Sequence, residues 1–132
     1  MRDQSSPQKT MSKPASILSI SYDEPLLHTR EWILKAEGFE VTSACGFVEA
    51  KEKCRNAGFD LAIMGHSIPR TDKIALIRAF KQHCRRVPVL SLLRHGDAPL
   101  PEADYWVEAA EGPTALLQAV KAALAGKVAI KK

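Results

Sequence analysis

The chain has 132 residues, enough for one domain with a proper hydrophobic core and too few for two ordinary domains. Its composition, 45% hydrophobic and 26% charged, is typical of a globular protein in water. No apolar run approaches the roughly 20 residues needed to cross a bilayer. The polar first fifteen residues lack the apolar middle of a signal peptide. These features indicate a cytoplasmic protein with no membrane partner.

The net charge of +4 is concentrated at the two ends of the chain. Residues 1–15 are rich in Gln, Ser, Pro and Lys without periodicity, which predicts a disordered N-terminal arm. Residues 127–132 form a basic C-terminal tail, and the folded body between them, residues 16–126, is close to neutral. Basic ends on a near-neutral body are weak evidence for a nucleic-acid partner, so solubilising ends are the favoured interpretation.

The three cysteines, Cys45, Cys54 and Cys84, are an odd number and have no metal-ligand spacing. Cys54 falls on the apolar stripe of a predicted helix, where a small buried thiol is the ordinary explanation. We therefore expect free thiols in a reducing compartment rather than a disulfide framework.

The first half of the body alternates short strands with helices. Residues 16–21 are apolar-rich and bounded by turn formers, which predicts a first strand. A helix begins at the acids and proline of residues 23–25 and ends at Gly38, which can take the left-handed conformation beyond a helix terminus. Residues 39–43 predict a second strand. The next helix has one apolar face formed by Phe47, Ala50, Cys54 and Ala57.

The second half continues the alternation with one interruption. Residues 59–64 are almost continuously apolar, which predicts a strand covered on both faces, and residues 87–93 predict another. Between residues 94 and 102 one glycine and two prolines exclude a long helix. A short fifth strand at 105–107 and a last helix at 113–125 follow. The predicted core stripes are Ile74, Ile77 and Phe80 in the third helix and Leu116, Val120, Ala123 and Leu124 in the last.

Five short apolar strands separated by helices predict parallel pairing with right-handed crossovers. The expected fold class is α/β, a doubly wound five-stranded parallel sheet with a short or missing fourth helix. In such folds the functional crevice lies at the carboxyl ends of the strands. These ends are residues 21–23, 65–67, 93–95 and 107–109.

Several short pieces resemble the receiver domain of two-component response regulators, and their order and spacing agree with it. They are residues 17–20, 36–41, 59–63, 68–69 with Asp72 three residues on, 88–90 and 103–107. The resemblance covers residues 16–125. It implies a flavodoxin-like fold and a role in bacterial two-component, phosphorelay signal transduction.

Receiver domains place five functional side chains around one point. Two acids hold a magnesium ion together with an acceptor aspartate, and a hydroxyl and a lysine contact the phosphoryl group. The resemblance puts these positions at Ser21, Tyr22, Gly65, Leu93 and Glu108, none of which has the required chemistry. A one-residue slip would bring Asp23 into the acidic pair, but one carboxylate without an acceptor cannot organise phosphoryl transfer. We therefore predict a degenerate pseudo-receiver that is not an enzyme and needs no catalytic residue, metal or cofactor.

Such a domain would act by binding. The resemblance implies a protein partner, a kinase or an output protein being the candidates, and a homodimer is an alternative. The shortened segment before the fifth strand puts the usual output surface in doubt. Alternation places Tyr105 and Trp106 on opposite faces, so one of them is expected to be partly uncovered. Candidate partner-binding residues are Tyr105, Trp106, Arg78, Lys81 and Arg85.

Two other classes of function stay open. A metal-binding protein or enzyme could use the predicted carboxyl edge, although its candidate ligands lack close sequence spacing. These ligands are His66, His95, Asp23 and Glu108. A small nucleic-acid-associated regulator could use the cationic stripe of the third helix together with the lysine tail.

Overall fold

The computed structural model describes residues 14–56, 58–84, 87–108 and 112–126. Strands and helices alternate along this part of the chain. The elements are β1 (Ser16–Ser21), α1 (Glu24–Ala36), β2 (Glu40–Cys45), α2 (Phe47–Asn56), β3 (Leu61–Met64), α3 (Arg70–His83), β4 (Val89–Leu93), β5 (Tyr105–Glu108) and α4 (Pro113–Leu124). The predicted elements are confirmed, with ends that differ by at most two residues.

The five strands form one sheet in the order β2-β1-β3-β4-β5, and every neighbouring pair is parallel. The chain runs first from β1 outward to β2 and then returns past β1 to β3, β4 and β5. This reversal of direction beside β1 is the switch point of a doubly wound fold. The predicted fold class is confirmed.

The start of α1 shows why the chain changes direction after β1. Asp23 is the N-cap, and its Oδ1 accepts a hydrogen bond of 3.2 Å from the Leu26 backbone N–H. Pro25 occupies the first turn, where its missing N–H has no cost to the helix. At the other end, Gly38 has a φ of 96°, a conformation that favours glycine and leads the chain into β2.

Two cores lie on opposite faces of the sheet. Helices α2 and α3 cover one face, and α1 and α4 cover the other.

The predicted stripe of α3 is wrong in one position, because Leu76 is buried with Ile77 and Phe80 while Ile74 is only half-buried. In α4, Ala119 takes the buried place expected for Leu124, which is half-buried. In α2, Ala50 and Cys54 are buried, Phe47 packs against the same core, and Ala57 lies outside the described residues.

No helix forms between β4 and β5, where residues 94–104 run as turns and irregular backbone. The prediction of a missing fourth helix is thereby confirmed. Buried Leu100 anchors this segment in the core on the α2 and α3 face. The segment is also held by Arg70, whose Nη1 donates a 3.1 Å hydrogen bond to the Ala98 carbonyl.

A disulfide joins Cys54, at the end of α2, to Cys84, which follows α3. Their Cα atoms are 5.9 Å apart, within the usual range for a disulfide. The expectation of a free buried thiol at Cys54 is therefore wrong. Sequence spacing could not show this pair, because 30 residues separate the two cysteines and only the packing of α2 beside α3 brings them together. Cys45 is free and exposed.

The predicted basic tail and nearly all of the predicted N-terminal arm lie outside the described residues. The domain limits of residues 16 and 126 therefore stay predictions. Among the helices that the structure describes, none combines the length and the apolar character that crossing a membrane requires.

Candidate functional site at the carboxyl end of the sheet

Gly65 follows β3 at the carboxyl end of the sheet and is buried. Its N–H donates a 2.9 Å hydrogen bond to the Ile20 carbonyl, which fixes the backbone beside β1. A Cβ atom at this position would lie 2.7 Å from Arg30 Nη1 and 3.2 Å from the Ile20 carbonyl oxygen. The space that a side chain at position 65 would need is therefore occupied, mainly by a guanidinium group.

Arg30 is the buried cation of this site. Its side chain is only 7% exposed, and its Nη1 is buried without a hydrogen-bond partner. Burial lowers the pKa of Arg30, and the charge of Asp23 opposes that shift. A guanidinium nevertheless stays protonated in proteins, so the site contains a desolvated positive charge.

Sequence reasoning missed Arg30, although the helix pattern contained a signal. Arg30 lies on the same stripe of α1 as Leu27 and Leu34, the other buried residues of this helix. Side chains on a helix lean toward its N-terminus. Because α1 starts at the carboxyl end of β1, this lean carries the guanidinium toward Gly65.

The residues after β1 form a network of neutral hydrogen bonds. The hydroxyls of Ser21 and Ser67 lie 3.1 Å apart, and the Tyr22 backbone N–H donates to Ser67 Oγ at 3.0 Å. Ser21 Oγ also accepts a 3.0 Å hydrogen bond from the Asp23 N–H. The network ties the end of β1 to the loop after β3 without any charged group.

Tyr22 connects this loop to α3. Its hydroxyl donates a 2.8 Å hydrogen bond to Asp72 Oδ2. Burial, together with the hydrogen bond to Asp72 and the charge of that carboxylate, raises the pKa of Tyr22. The phenol is therefore a hydrogen-bond donor at neutral pH, and the Asp72 carboxylate is engaged as its acceptor.

Lys73 is a second buried cation of this site. It is 4% exposed, and its Nζ donates to Ser91 Oγ at 2.9 Å and to the Leu92 carbonyl at 2.8 Å. Burial lowers the pKa of Lys73 to about 8, against the opposing attraction of Asp97. The sequence signal was its place on the buried α3 stripe, three residues before Leu76.

The last two strands end in residues of opposite character. Leu93 is buried, and its register partner on β5 is Glu108. Glu108 Oε1 lies 3.5 Å from Nδ1 of the exposed His95. The carboxylate is therefore positioned beside an imidazole at the edge of the site.

The structure does not bring the four metal-ligand candidates together. His66 contacts Arg94, whose Nε lies 3.4 Å from His66 Nδ1, while His95 is beside Glu108. Burial lowers the pKa of His66, and the nearby charges of Arg30 and Arg94 lower it further. Within the described ranges, no three His, Cys, Asp or Glu side chains converge as a metal site requires. The geometry gives the metal alternative no support.

A cavity of about 320 Å³ opens at this end of the molecule, and we name it the α1–α4 cavity. Side chains of α1, the carboxyl ends of β4 and β5, and the start of α4 form its walls. Its charged and titratable lining groups within the described residues are Arg30, His66, Arg94, His95 and Glu108. The cavity is therefore bordered by more cationic than anionic side chains.

Solved structures with a similar fold include response regulators. A CheY-like response regulator receiver domain protein from Methanospirillum hungatei JF-1 superposes with a TM-score of 0.72 and 26% identity, over 86% of this chain and 96% of that one. The chain has a receiver-domain fold. Chemotaxis response regulator CheY4 of Vibrio cholerae superposes with a TM-score of 0.69 and 22% identity, over 83% of this chain and 98% of that one. A response regulator receiver domain protein from Clostridium thermocellum superposes with a TM-score of 0.69 and 23% identity, over 85% of this chain and 95% of that one.

The sequence matches no protein-family model, and no curated protein matches it. The chain spans nearly the full length of the three receiver structures.

The candidate partner-binding residues are distributed over two elements of the receiver fold. Arg78 and Lys81 are exposed on α3, whereas Arg85 lies outside the described residues. Tyr105 and Trp106 on β5 are both half-buried, and Tyr105 packs against the α1 and α4 core. Sequence reasoning missed Trp32 on α1, which is 80% exposed. The helix period contained a signal, because it places Trp32 on the side of α1 away from the Leu27 and Leu34 stripe.

Proposed function

We propose that this chain is a non-catalytic, receiver-like signalling domain that acts through protein–protein interaction in a two-component, phosphorelay-related setting. The receiver fold supports the signalling setting. The proposed loss of phosphorylation depends on one observation, the guanidinium of Arg30 against Gly65. On this proposal, a cation takes the place that the resemblance assigns to an acceptor carboxylate.

The surrounding groups support the same conclusion. Phosphoryl transfer to a receiver needs a carboxylate nucleophile and oxygen ligands for a magnesium ion. The positions that correspond to the acidic pair, Ser21 and Tyr22, offer hydroxyls that are engaged in hydrogen bonds. Two buried cations, Arg30 and Lys73, would repel a divalent metal ion at short range.

The partner surface that we propose lies where the helix between β4 and β5 is absent. Within the described residues β5 is an edge strand of the sheet, and Trp106 lies on it with part of its ring exposed. A partly exposed aromatic at a strand edge is a typical anchor for a protein partner. The exposed cations Arg78 and Lys81 on α3 would favour a partner with an acidic surface.

Phosphorylation is tested by incubating the purified chain with acetyl phosphate and magnesium and measuring its intact mass. We expect no phosphoryl adduct, while an ordinary receiver domain treated in parallel acquires one. The Gly65→Asp variant should also stay unmodified, because Arg30 occupies the space beside the new side chain and the metal ligands would still be missing. Phosphate incorporation into the unaltered chain would disprove the proposal.

The partner surface is tested by affinity capture with the intact chain and identification of the bound proteins. We expect Trp106→Ala, or the pair Arg78→Glu and Lys81→Glu, to abolish capture of the specific partner. Trp32→Ala is the matched control, since Trp32 is exposed on α1 and that helix covers the opposite face of the sheet. Loss of the partner in the Trp32 variant and retention in the Trp106 variant would place the interface on α1 instead.

A further inference from the structure

The α1–α4 cavity is a half-open cleft at the carboxyl end of the sheet. Its volume of about 320 Å³ is near the lower end of the range of roughly 300–1,000 Å³ that small-molecule pockets span. Apolar side chains form most of its wall: Leu26, Ile33, Leu92, Val107, Pro113 and Leu116. Such a wall suits the hydrocarbon or aromatic part of a small molecule.

The charged part of the cavity wall contains two arginines, Arg30 and Arg94, and one carboxylate, Glu108. Arg30 is more than nine-tenths buried and lines the cavity, with its Nη1 packed against Gly65 and without a hydrogen-bond partner. Arg94 and His66 adjoin it, and His95 is also in the wall. A buried donor without a partner destabilises the folded state. An anion in the cavity would balance the positive charge of this guanidinium.

The carboxylates nearby are engaged with other groups. Glu108, the one carboxylate in the described wall, lies beside His95. Asp23 attracts Arg30 electrostatically, but its Oδ1 caps α1 by accepting from Leu26 N. The cationic groups of the wall therefore keep an excess over the anionic ones.

The start of α4 adds to the same electrostatic preference. Gly112 and Pro113 border the cavity, and the N-cap Gly112 provides no side-chain acceptor for the first-turn N–H groups. These groups and the helix dipole favour a negative charge at a helix N-terminus. Their contribution supports the buried arginine and would not define a site by itself.

We propose that the α1–α4 cavity binds a small organic anion that joins a carboxylate or phosphate group to an apolar body. The anionic group would lie between Arg30 and Arg94, and the apolar body would contact the wall at Leu92 and Val107. The charge preference is opposite to that of a pocket that loads a magnesium ion. This inference goes beyond the proposed signalling role and does not depend on it.

The test is a titration of the isotope-labelled full chain with four probes, followed by NMR of backbone amides and histidine rings. The probes are phenyl phosphate, octanoate, inorganic phosphate and benzyl alcohol. We expect saturable shifts at His66, Leu92 and Gly112 with phenyl phosphate or octanoate. We also expect at least roughly tenfold weaker binding of inorganic phosphate and of benzyl alcohol, since each provides only one of the two kinds of contact. The first two probes distinguish a phosphate from a carboxylate ligand.

Two variants test the assigned groups. Arg30→Met should weaken binding of the preferred anion by roughly tenfold or more, the loss expected for a charge-assisted hydrogen bond. Arg94→Met, at an exposed position, gives a second test if the first variant does not fold, which a far-UV circular dichroism melt would show. The matched control is Arg55→Met, an exposed arginine near the end of α2 and away from the cavity, which should bind as the unaltered chain does.

Three outcomes would overturn the inference. One is the absence of saturable shifts with both organic anions up to about 10 mM, a range that includes weak fragment binding. Another is equal affinity for inorganic phosphate and the organic anions. The third is unchanged affinity in both folded arginine variants. Because none of these measurements involves phosphorylation or a protein partner, failure here is distinguishable from failure of the proposed function.

Discussion

The two ends of the sheet use their polar residues differently. At the amino end, Asp60 Oδ2 accepts from the Ser16 N–H and Asp104 Oδ2 accepts from the Val89 N–H, both at 2.8 Å. These bonds complete the starts of β1 and β4, and the Cys54–Cys84 disulfide lies at the same end. At the carboxyl end, by contrast, Arg30 is buried with one nitrogen unpaired.

The polar residues at the amino end stabilise the fold, whereas the buried cation at the carboxyl end does not. Satisfied backbone groups and a cross-link between helices stabilise the native state in the ordinary way. A buried cation without a partner does the opposite, which is why we assign Arg30 to binding rather than to stability. We therefore expect the stability of the fold to depend most on residues at the amino end of the sheet. We expect ligand binding to depend on residues at the carboxyl end.

The largest expected effect is on the disulfide at the amino end. Reduction, or the double replacement Cys54→Ser and Cys84→Ser, should lower the free energy of unfolding by about 2–4 kcal/mol, because the unfolded chain loses a closed loop. Urea denaturation with and without reductant measures this. Cys45→Ser, at the free exposed cysteine, is the control and should change little. Identical denaturation curves for oxidised and reduced protein would show that the disulfide does not stabilise the fold, and the stabilising role assigned to the amino end would then be wrong.

At the carboxyl end, Gly65→Ala should destabilise the fold by about 1–3 kcal/mol through overpacking. The new Cβ would meet Arg30 Nη1 and the Ile20 carbonyl. The loss should be smaller in an Arg30→Met background, since the shorter methionine gives up the contact, so the two changes should be non-additive. Gly58→Ala is the control because its Cβ would have no neighbour within 4 Å. Equal losses at positions 58 and 65 would contradict the close approach of Arg30.

The sequence was sufficient for the architecture because hydrophobic periodicity and turn residues recur in every element. It was insufficient for the site because its deciding residues are exceptions to that pattern. Arg30 and Lys73 lie on buried stripes, where a periodicity argument expects apolar side chains. The disulfide depends on the packing of two helices, and no local pattern encodes it. Buried cations on core stripes are thus the signal that a sequence search for such sites should use.

The buried amine of Lys73 should make stability depend on pH. Its pKa in the folded chain, about 8, lies below its ordinary value of 10.5. Below pH 8, Lys73 is protonated in both the folded and the unfolded chain, so the free-energy cost of burying its charge is fully present. As the pH rises from 8 toward 10.5, the folded chain releases this proton first, so the unfolded chain binds more protons and stability increases. The increase is at most about 1.4 kcal/mol per pH unit.

Urea denaturation at several pH values between 8 and 10 measures this contribution, with Lys73→Met as the comparison. The variant should lack the rise, because methionine carries no proton to lose. Measurements should stop near pH 10, since the raised pKa of Tyr22 produces the opposite trend above it. Parallel pH profiles for the two proteins would mean that Lys73 is solvated, and the carboxyl end would then hold one buried cation.

The smallest expected effect concerns the link between the loop after β1 and the start of α3. Tyr22→Phe removes the donor to Asp72 and should cost about 1 kcal/mol, the net value of a typical hydrogen bond. Asp72→Asn keeps an acceptor oxygen and removes the charge, so it should cost less and lower the pKa of Tyr22 toward its ordinary value of 10.0. Ultraviolet titration of the phenol measures that change. An unaltered titration in Asp72→Asn would leave burial as the whole cause of the raised pKa of Tyr22.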